Sequence, residues 1–142
     1  MSGVDPARQR HEATAWLAKA DDDIRAVRLC LDARPPVLGI AAYHCQQAAE
    51  KLLKGLLVLA AIPFRKTHDL DELSAAAVAI DPQLEPLLGH VRVRTYWGFA
   101  FRYPALGEGD QEPPTGDEIE VTLRHLSDLR SHLAAATDAD EE

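Results

Sequence analysis

Apolar positions recur at helical spacing along most of the chain, and nine prolines cut that pattern into segments. Trp16, Leu17, Ala20, Ile24, Val27 and Leu31 follow a period of ~3.6 residues, which predicts a first helix over about 7–34. Pro35-Pro36 stops it, because proline lacks a backbone donor and disfavours helix at the residue before it. A second helix is predicted over 37–61, ended by Pro63. Thr67 is the expected N-cap of a third, over 68–79, with Asp69 and Asp71 near its positive end. Pro82 and Pro86 suit the first turns of one or two short helical pieces.

Over 89–103 two patterns compete. Val91-Arg92-Val93-Arg94-Thr95-Tyr96 alternates apolar and polar residues and is rich in β-branched and aromatic types, which is the mark of a strand. Nothing else in the chain reads as β, so such a strand would have no partner. A helix with Val91, Thr95 and Gly98 along one side is the expectation. Residues 104–114 form a loop rich in Gly, Pro and acid. Thr115, with Glu118 three residues on, is a capping box that opens a last helix with Ile119, Leu123, Leu126, Leu129 or Arg130, and Leu133 inside. The expected fold is all-α, an antiparallel up-and-down bundle of about five helices with short connections. It forms one domain over 1–142, with an ordered core at about 10–135 and an acidic tail at 136–142.

At 46% hydrophobic and 27% charged, the composition is that of an ordinary globular domain. No apolar run approaches the ~20 residues that span a bilayer, and the N-terminus lacks the apolar core of a signal peptide. No membrane contact is expected, and the expected address is cytoplasmic. Cys30 and Cys45 are too few for a disulfide framework and lack zinc-site spacing; both read as small core residues. The net charge of −8 argues against an extended nucleic-acid surface. Asp138, Asp140, Glu141 and Glu142 supply four of those charges, whereas from Lys51 to Arg102 seven basic residues face five acidic ones. The middle of the chain is therefore the part able to hold an anion.

The second helix carries the most unusual chemistry. At ~100° per residue, Tyr43, Gln47, Glu50, Lys51 and Lys54 share one arc, with His44 and Gln46 at its edges. Ala41, Cys45, Ala48, Ala49, Leu52, Leu53, Leu56 and Leu59 fill the rest of the circumference. Amide, imidazole and phenol groups beside ammonium groups are not the usual make-up of a solvated face. Three readings stay open on residue chemistry alone: side chains satisfying neighbouring helix ends, a dimer seam, or the wall of a cleft.

Other motifs narrow the chemistry. There is no H-E-x-x-H, no paired Cys/His spacing, no G-x-S-x-G elbow, no P-loop and no G-x-G-x-x-G. No metal site, cofactor or nucleophilic triad is expected, and any phosphate must be held by side chains and helix ends. His125 and His132 read as part of a surface charge lattice with Arg124 and Asp128. His68 follows Arg65 and Lys66 at the expected start of a helix, a place that favours anions. Arg92, Arg94 and Arg102 interleave with Tyr96, Trp97, Phe99, Phe101 and Tyr103, which is read as a self-association surface.

Three segments together, A-Y-H-C-Q-Q-A-A-E-K-L-L-K-G-L-L, T-H-D-L-D-E-L and F-R-Y-P, resemble the landmarks of the HEPN family (higher eukaryote and prokaryote nucleotide-binding domain). The likeness covers about 10–135 and fits in both order and spacing. It implies an all-α bundle, a homodimer, nucleotide binding, and in many cases a minimal nucleotidyltransferase partner in a toxin–antitoxin-like module. His44, Gln47 and Lys51 match the second-helix motif, His68 and Asp69 the T-H-D-L motif, and Arg102 and Tyr103 the R-Y-P motif. The members that cut RNA carry an Arg followed after four to six residues by a His. Here Arg65 precedes His68 by two intervening residues and Arg124 precedes His132 by seven, so no catalytic residue is assigned. The expected ligand contacts are His44, Gln47, Lys51, Lys54, Arg65, Lys66, His68, Arg102 and Tyr103. A ribonuclease with a non-standard site and a purely structural dimeric module are the rival readings.

Overall fold

The computed structural model describes residues 5–98, 100–101 and 112–139. The helices are α1 (Pro6–Asp32), α2 (Leu38–Leu59), α3 (Leu70–Ile80), α4 (Glu85–Val91) and α5 (Gly116–Ala139), with 3₁₀ segments at Pro82–Leu84 and Arg92–Gly98. All regular structure among the described residues is helical, as the apolar periodicity predicts. No described helix is long and apolar enough to cross a membrane.

Helices α1 and α2 form an antiparallel hairpin. Gln9 near the start of α1 donates to the Val58 carbonyl near the end of α2, at 3.1 Å. Further along, Asp23 meets His44. Close packing is possible because Ala13, Ala20, Ala41, Ala42, Ala48 and Ala49 are all buried. Gly55 brings α2 against α5 and α1: a Cβ there would lie 2.8 Å from Leu133 Cδ2 and 3.4 Å from Trp16 Cβ. The inner face of α5 is the one expected, with Ile119, Leu123, Leu126, Leu129 and Leu133 buried. Arg130 lies at the edge of that face and forks onto the Asp21 carboxylate at 2.6 and 2.9 Å.

The segment 60–69 folds back along α2, so α3 sets off beside the middle of α2 and in the same sense. His68 stands against Gln46, while Ala77 and Ile80 share a groove with Leu56 and Leu59. The reversal starts in a Schellman-type cap. Ile62 N–H reaches the Leu57 carbonyl at 2.9 Å and Ala61 N–H reaches Val58 at 3.1 Å. Ala61 supplies the left-handed residue, with φ of 58°.

Two local expectations change. Asp69, not Thr67, caps α3, accepting from Asp71 N–H at 2.9 Å, because its carboxylate reaches the first turn from one residue before Leu70. Thr67 Oγ1 instead accepts from Asp69 N–H. His68 is therefore outside the helix rather than in its first turn. The alternating residues 91–96 form neither a strand nor an α-helix beyond Val91. In a 3₁₀ helix residues three apart share a side, and Arg92–Gly98 sorts accordingly. Thr95 and Gly98 face α2 and α3, Trp97 is fully buried, and Val93 and Tyr96 are 54% and 42% exposed.

Trp97 is thus a core residue and does not serve a surface for self-association. Arg94 lies across its indole at 4.6 Å from the ring centre. Phe101 packs on Gly39, where a Cβ would come within 3.1 Å. Phe99 and Tyr103 lie outside the described residues. Cys45 is buried, which pushes its thiol up to about 12, and Cys30 is raised by burial as well; both fit the core reading. His125, placed in the surface lattice by sequence, is stacked on His90 at 4.3 Å. Desolvation first, then the neighbouring His90 and Arg94, hold it below the ordinary imidazole value.

The left-handed Ala61 costs about 1–2 kcal/mol that a glycine would avoid. Ala61→Gly is expected to stabilise the fold by about 0.5–1 kcal/mol once the looser unfolded chain is counted. Urea denaturation followed by circular dichroism measures this.

Candidate functional site

The arc that looks continuous on a helical projection is divided in three dimensions into two carboxylate-centred clusters. On the α1 side, buried Asp23 binds His44 Nδ1 at 2.8 Å and Lys51 Nζ at 2.5 Å. On the α3 side, buried Glu50 binds His68 Nδ1 at 2.7 Å, Lys54 Nζ at 3.0 Å and Gln46 Nε2 at 3.3 Å. A buried carboxylate is costly unless it is paired and hydrogen-bonded. Each of the two therefore collects one ammonium and one imidazole. Lys54 is also buried, with its ammonium 5.6 and 5.8 Å from the ring centres of Trp16 and Phe64.

Gln46 joins the second cluster to the loop before α3. It is fully buried, and its Nε2 also donates to the His68 carbonyl at 3.0 Å. Its Oε1 accepts from Gln47 Nε2 at 2.7 Å. Gly98 lets the 3₁₀ segment close over this amide, since a Cβ there would fall 2.8 Å from Gln46 Oε1. Thr95 ties the same segment to α3, accepting from Leu70 N–H at 2.9 Å. Tyr43, Gln46, Gln47, His68, Asp69, Thr95 and Gly98 enclose a cleft of about 570 Å³. Such a volume lies within the usual range for a small-molecule site.

The expected ligand contacts distribute unevenly around this cleft. Gln47 and His68 line it, and the His68 side chain is 81% exposed beyond its Glu50 contact. His44 and Lys51 belong to the Asp23 cluster on the other side of the α2 ridge. Lys54 is enclosed beneath Glu50, and Arg65 is held by the exposed Glu72 at 2.9 Å. Lys66 is exposed on the connection before His68. Arg102 and Tyr103 lie outside the described residues.

Residues that sequence reasoning did not place at the site are Asp23, Thr95, Gly98 and the aromatic pair Trp16 and Phe64. Asp23 left one readable signal: it sits three residues after Ala20 and four before Val27, inside the apolar stripe of α1. A carboxylate at such a position must find a cation from another element. The spacing of Thr95 and Gly98 puts them on one side of their segment, but nothing in it names the groups they meet, because those depend on the docking of a 3₁₀ segment.

Removing the central carboxylate leaves a buried ammonium unpaired. Glu50→Ala is expected to destabilise the fold by about 3–5 kcal/mol, whereas Glu72→Ala, in an exposed pair, costs under ~1 kcal/mol. Adding Lys54→Met to Glu50→Ala recovers part of the loss, because the uncompensated charge is gone. Chemical denaturation of the four proteins decides it.

Comparison with known proteins agrees with this arrangement of helices. The sequence description of the HEPN domain matches residues 13–132, from the first turns of α1 to the later turns of α5. No curated protein and no solved structure matches. The matched span takes in all seven helical elements at least in part, including both clusters and the cleft between α2 and α3. The chain belongs to the HEPN domain family.

Proposed function

We propose that this HEPN domain binds a nucleotide or similar phosphate compound in the cleft between α2, the start of α3 and the 3₁₀ segment. The observation that carries the reading is that cleft, floored by an ordered network of amide, carboxylate and imidazole. A preorganised polar floor lowers the entropic cost of holding a polar ligand. Gln47, His68 and Asp69 contact the ligand, and Lys66, with Arg65, Arg102 and Tyr103, serves its phosphate end. His44 and Lys51 form a secondary site on the α1 side, and Lys54 acts through Glu50. The net charge of −8 favours a small ligand over a polyanion.

In this reading the protein is a homodimer and the partner of a minimal nucleotidyltransferase in a toxin–antitoxin-like pair. Family membership supports the pairing. Exposed Val37, Ile40, Val93 and Tyr96 supply apolar area suited to association. Calorimetry with AMP, ATP and GTP tests the ligand claim. Binding at or below millimolar concentration is expected, weakened several-fold by His68→Ala. Lys51→Ala has the smaller effect, because its ammonium rests on Asp23. No heat of binding at millimolar nucleotide removes this reading.

One observation favours a second reading, a ribonuclease with a non-standard site. His44 and His68 each rest Nδ1 on a buried carboxylate, an arrangement that fixes the tautomer and leaves Nε2 for proton transfer. Induced expression then arrests growth and degrades RNA, and His44→Ala or His68→Ala abolishes both effects. Intact RNA after induction of the wild type excludes it.

A further inference from the structure

We propose that the α2–α3 cleft recognises hydrogen-bond donors, and that it takes the amino-bearing edge of a nucleobase rather than the phosphate. This deepens the nucleotide-binding reading and rests on it. One atom has an unambiguous role, the main-chain carbonyl oxygen of His68, which can only accept. The Gln46 side-chain atom 3.0 Å from it is therefore the amide nitrogen. The same nitrogen faces Glu50 Oε1 at 3.3 Å. Gln46 must then turn its oxygen the other way, towards Gln47 at 2.7 Å.

An oxygen without a proton needs a donor opposite it, so the contacting atom of Gln47 is its nitrogen. Among the described residues the Gln47 oxygen is the part of that amide with no partner, and Gln47 lines the cleft. One backbone carbonyl thus sets the polarity of a side chain on the cleft wall through two successive amides. Gly98 protects the relay: a Cβ there would lie 2.8 Å from Gln46 Oε1 and 2.9 Å from Gln46 Cδ.

The neighbouring groups have the same sense. His68 places Nδ1 on Glu50 Oε1 at 2.7 Å, so Nδ1 carries a proton, and in that tautomer Nε2 presents a lone pair. Asp69 gives one oxygen to Asp71 N–H and has further acceptor capacity on its carboxylate. Thr95 Oγ1 already donates to the Arg92 carbonyl and accepts from Leu70 N–H. The cleft therefore offers the Gln47 oxygen, His68 Nε2 and the Asp69 carboxylate together, all rich in lone pairs.

A phosphate placed there would face lone pairs and a negative charge. Two nearby cations, Lys54 and Arg65, are held by carboxylates. An exocyclic amine brings N–H groups to the same atoms. The volume of about 570 Å³ accommodates a purine nucleoside. The phosphate end then points out of the cleft.

Two pairs of nucleosides that differ by one amine test this on the intact protein: adenosine against purine riboside, and guanosine against inosine. Calorimetry at neutral pH is expected to show about tenfold weaker binding for at least one desamino partner, since an acceptor covered by the bound base is left unpaired. Gln47→Leu should erase that difference. Equal binding of both members in both pairs by the wild type overturns the proposal and leaves nucleotide binding standing. So does a Gln47→Leu protein that keeps the amine preference. Failure of all four nucleosides and of AMP to bind overturns both readings together. The wild-type comparison does not depend on whether any variant folds.

Discussion

Much of this structure depends on one buried charge, the carboxylate of Glu50. A carboxylate inside a helical bundle is tolerable only where cations and donors converge on it. Glu50 collects Lys54 from its own helix, His68 from the returning connection and Gln46 from one turn earlier. Those partners determine where the chain goes after α2. His68 must reach back to the middle of that helix, so residues 60–69 run along it and α3 starts beside it. The cleft is the space this return path leaves between α2, α3 and the 3₁₀ segment.

The second carboxylate, Asp23, repeats the logic on the α1 side with His44 and Lys51. Together the two clusters alter what the cations of α2 mean. On a helical projection they read as a surface offered to an anion. In the folded protein each ammonium is matched to a carboxylate within 3.0 Å. Chemistry directed outward is then carried by the imidazole and amide groups, whose orientations the carboxylates fix.

Much of the fold was legible in the sequence for local reasons. Pro35, Pro36 and Pro63 mark helix limits because proline acts on its own backbone and the residue before it. Thr115 and Glu118 form their capping box within four residues, and the structure contains it, with Glu118 N–H on Thr115 Oγ1 at 3.1 Å. Thr67 and Asp69 show the limit of such reasoning. Both are good caps two residues apart, and the later one is used, with His68 held on Glu50 outside the helix. Residues 91–96 show it again, because a β-like alternation has no force without a neighbouring strand.

By itself the sequence determined the all-α bundle, the inner faces of α1 and α5, and membership of a family defined by three short landmarks. These follow from periodicity and from residues acting within a turn or two of themselves. Only the tertiary structure decided that Trp97 is core, that Asp23 is a site residue, and that the α2 arc splits in two. It also decided which way the amides of Gln46 and Gln47 face. These outcomes depend on which side chains meet across elements far apart in the chain. Burial of a charge or an amide is satisfied by partners that no local pattern names.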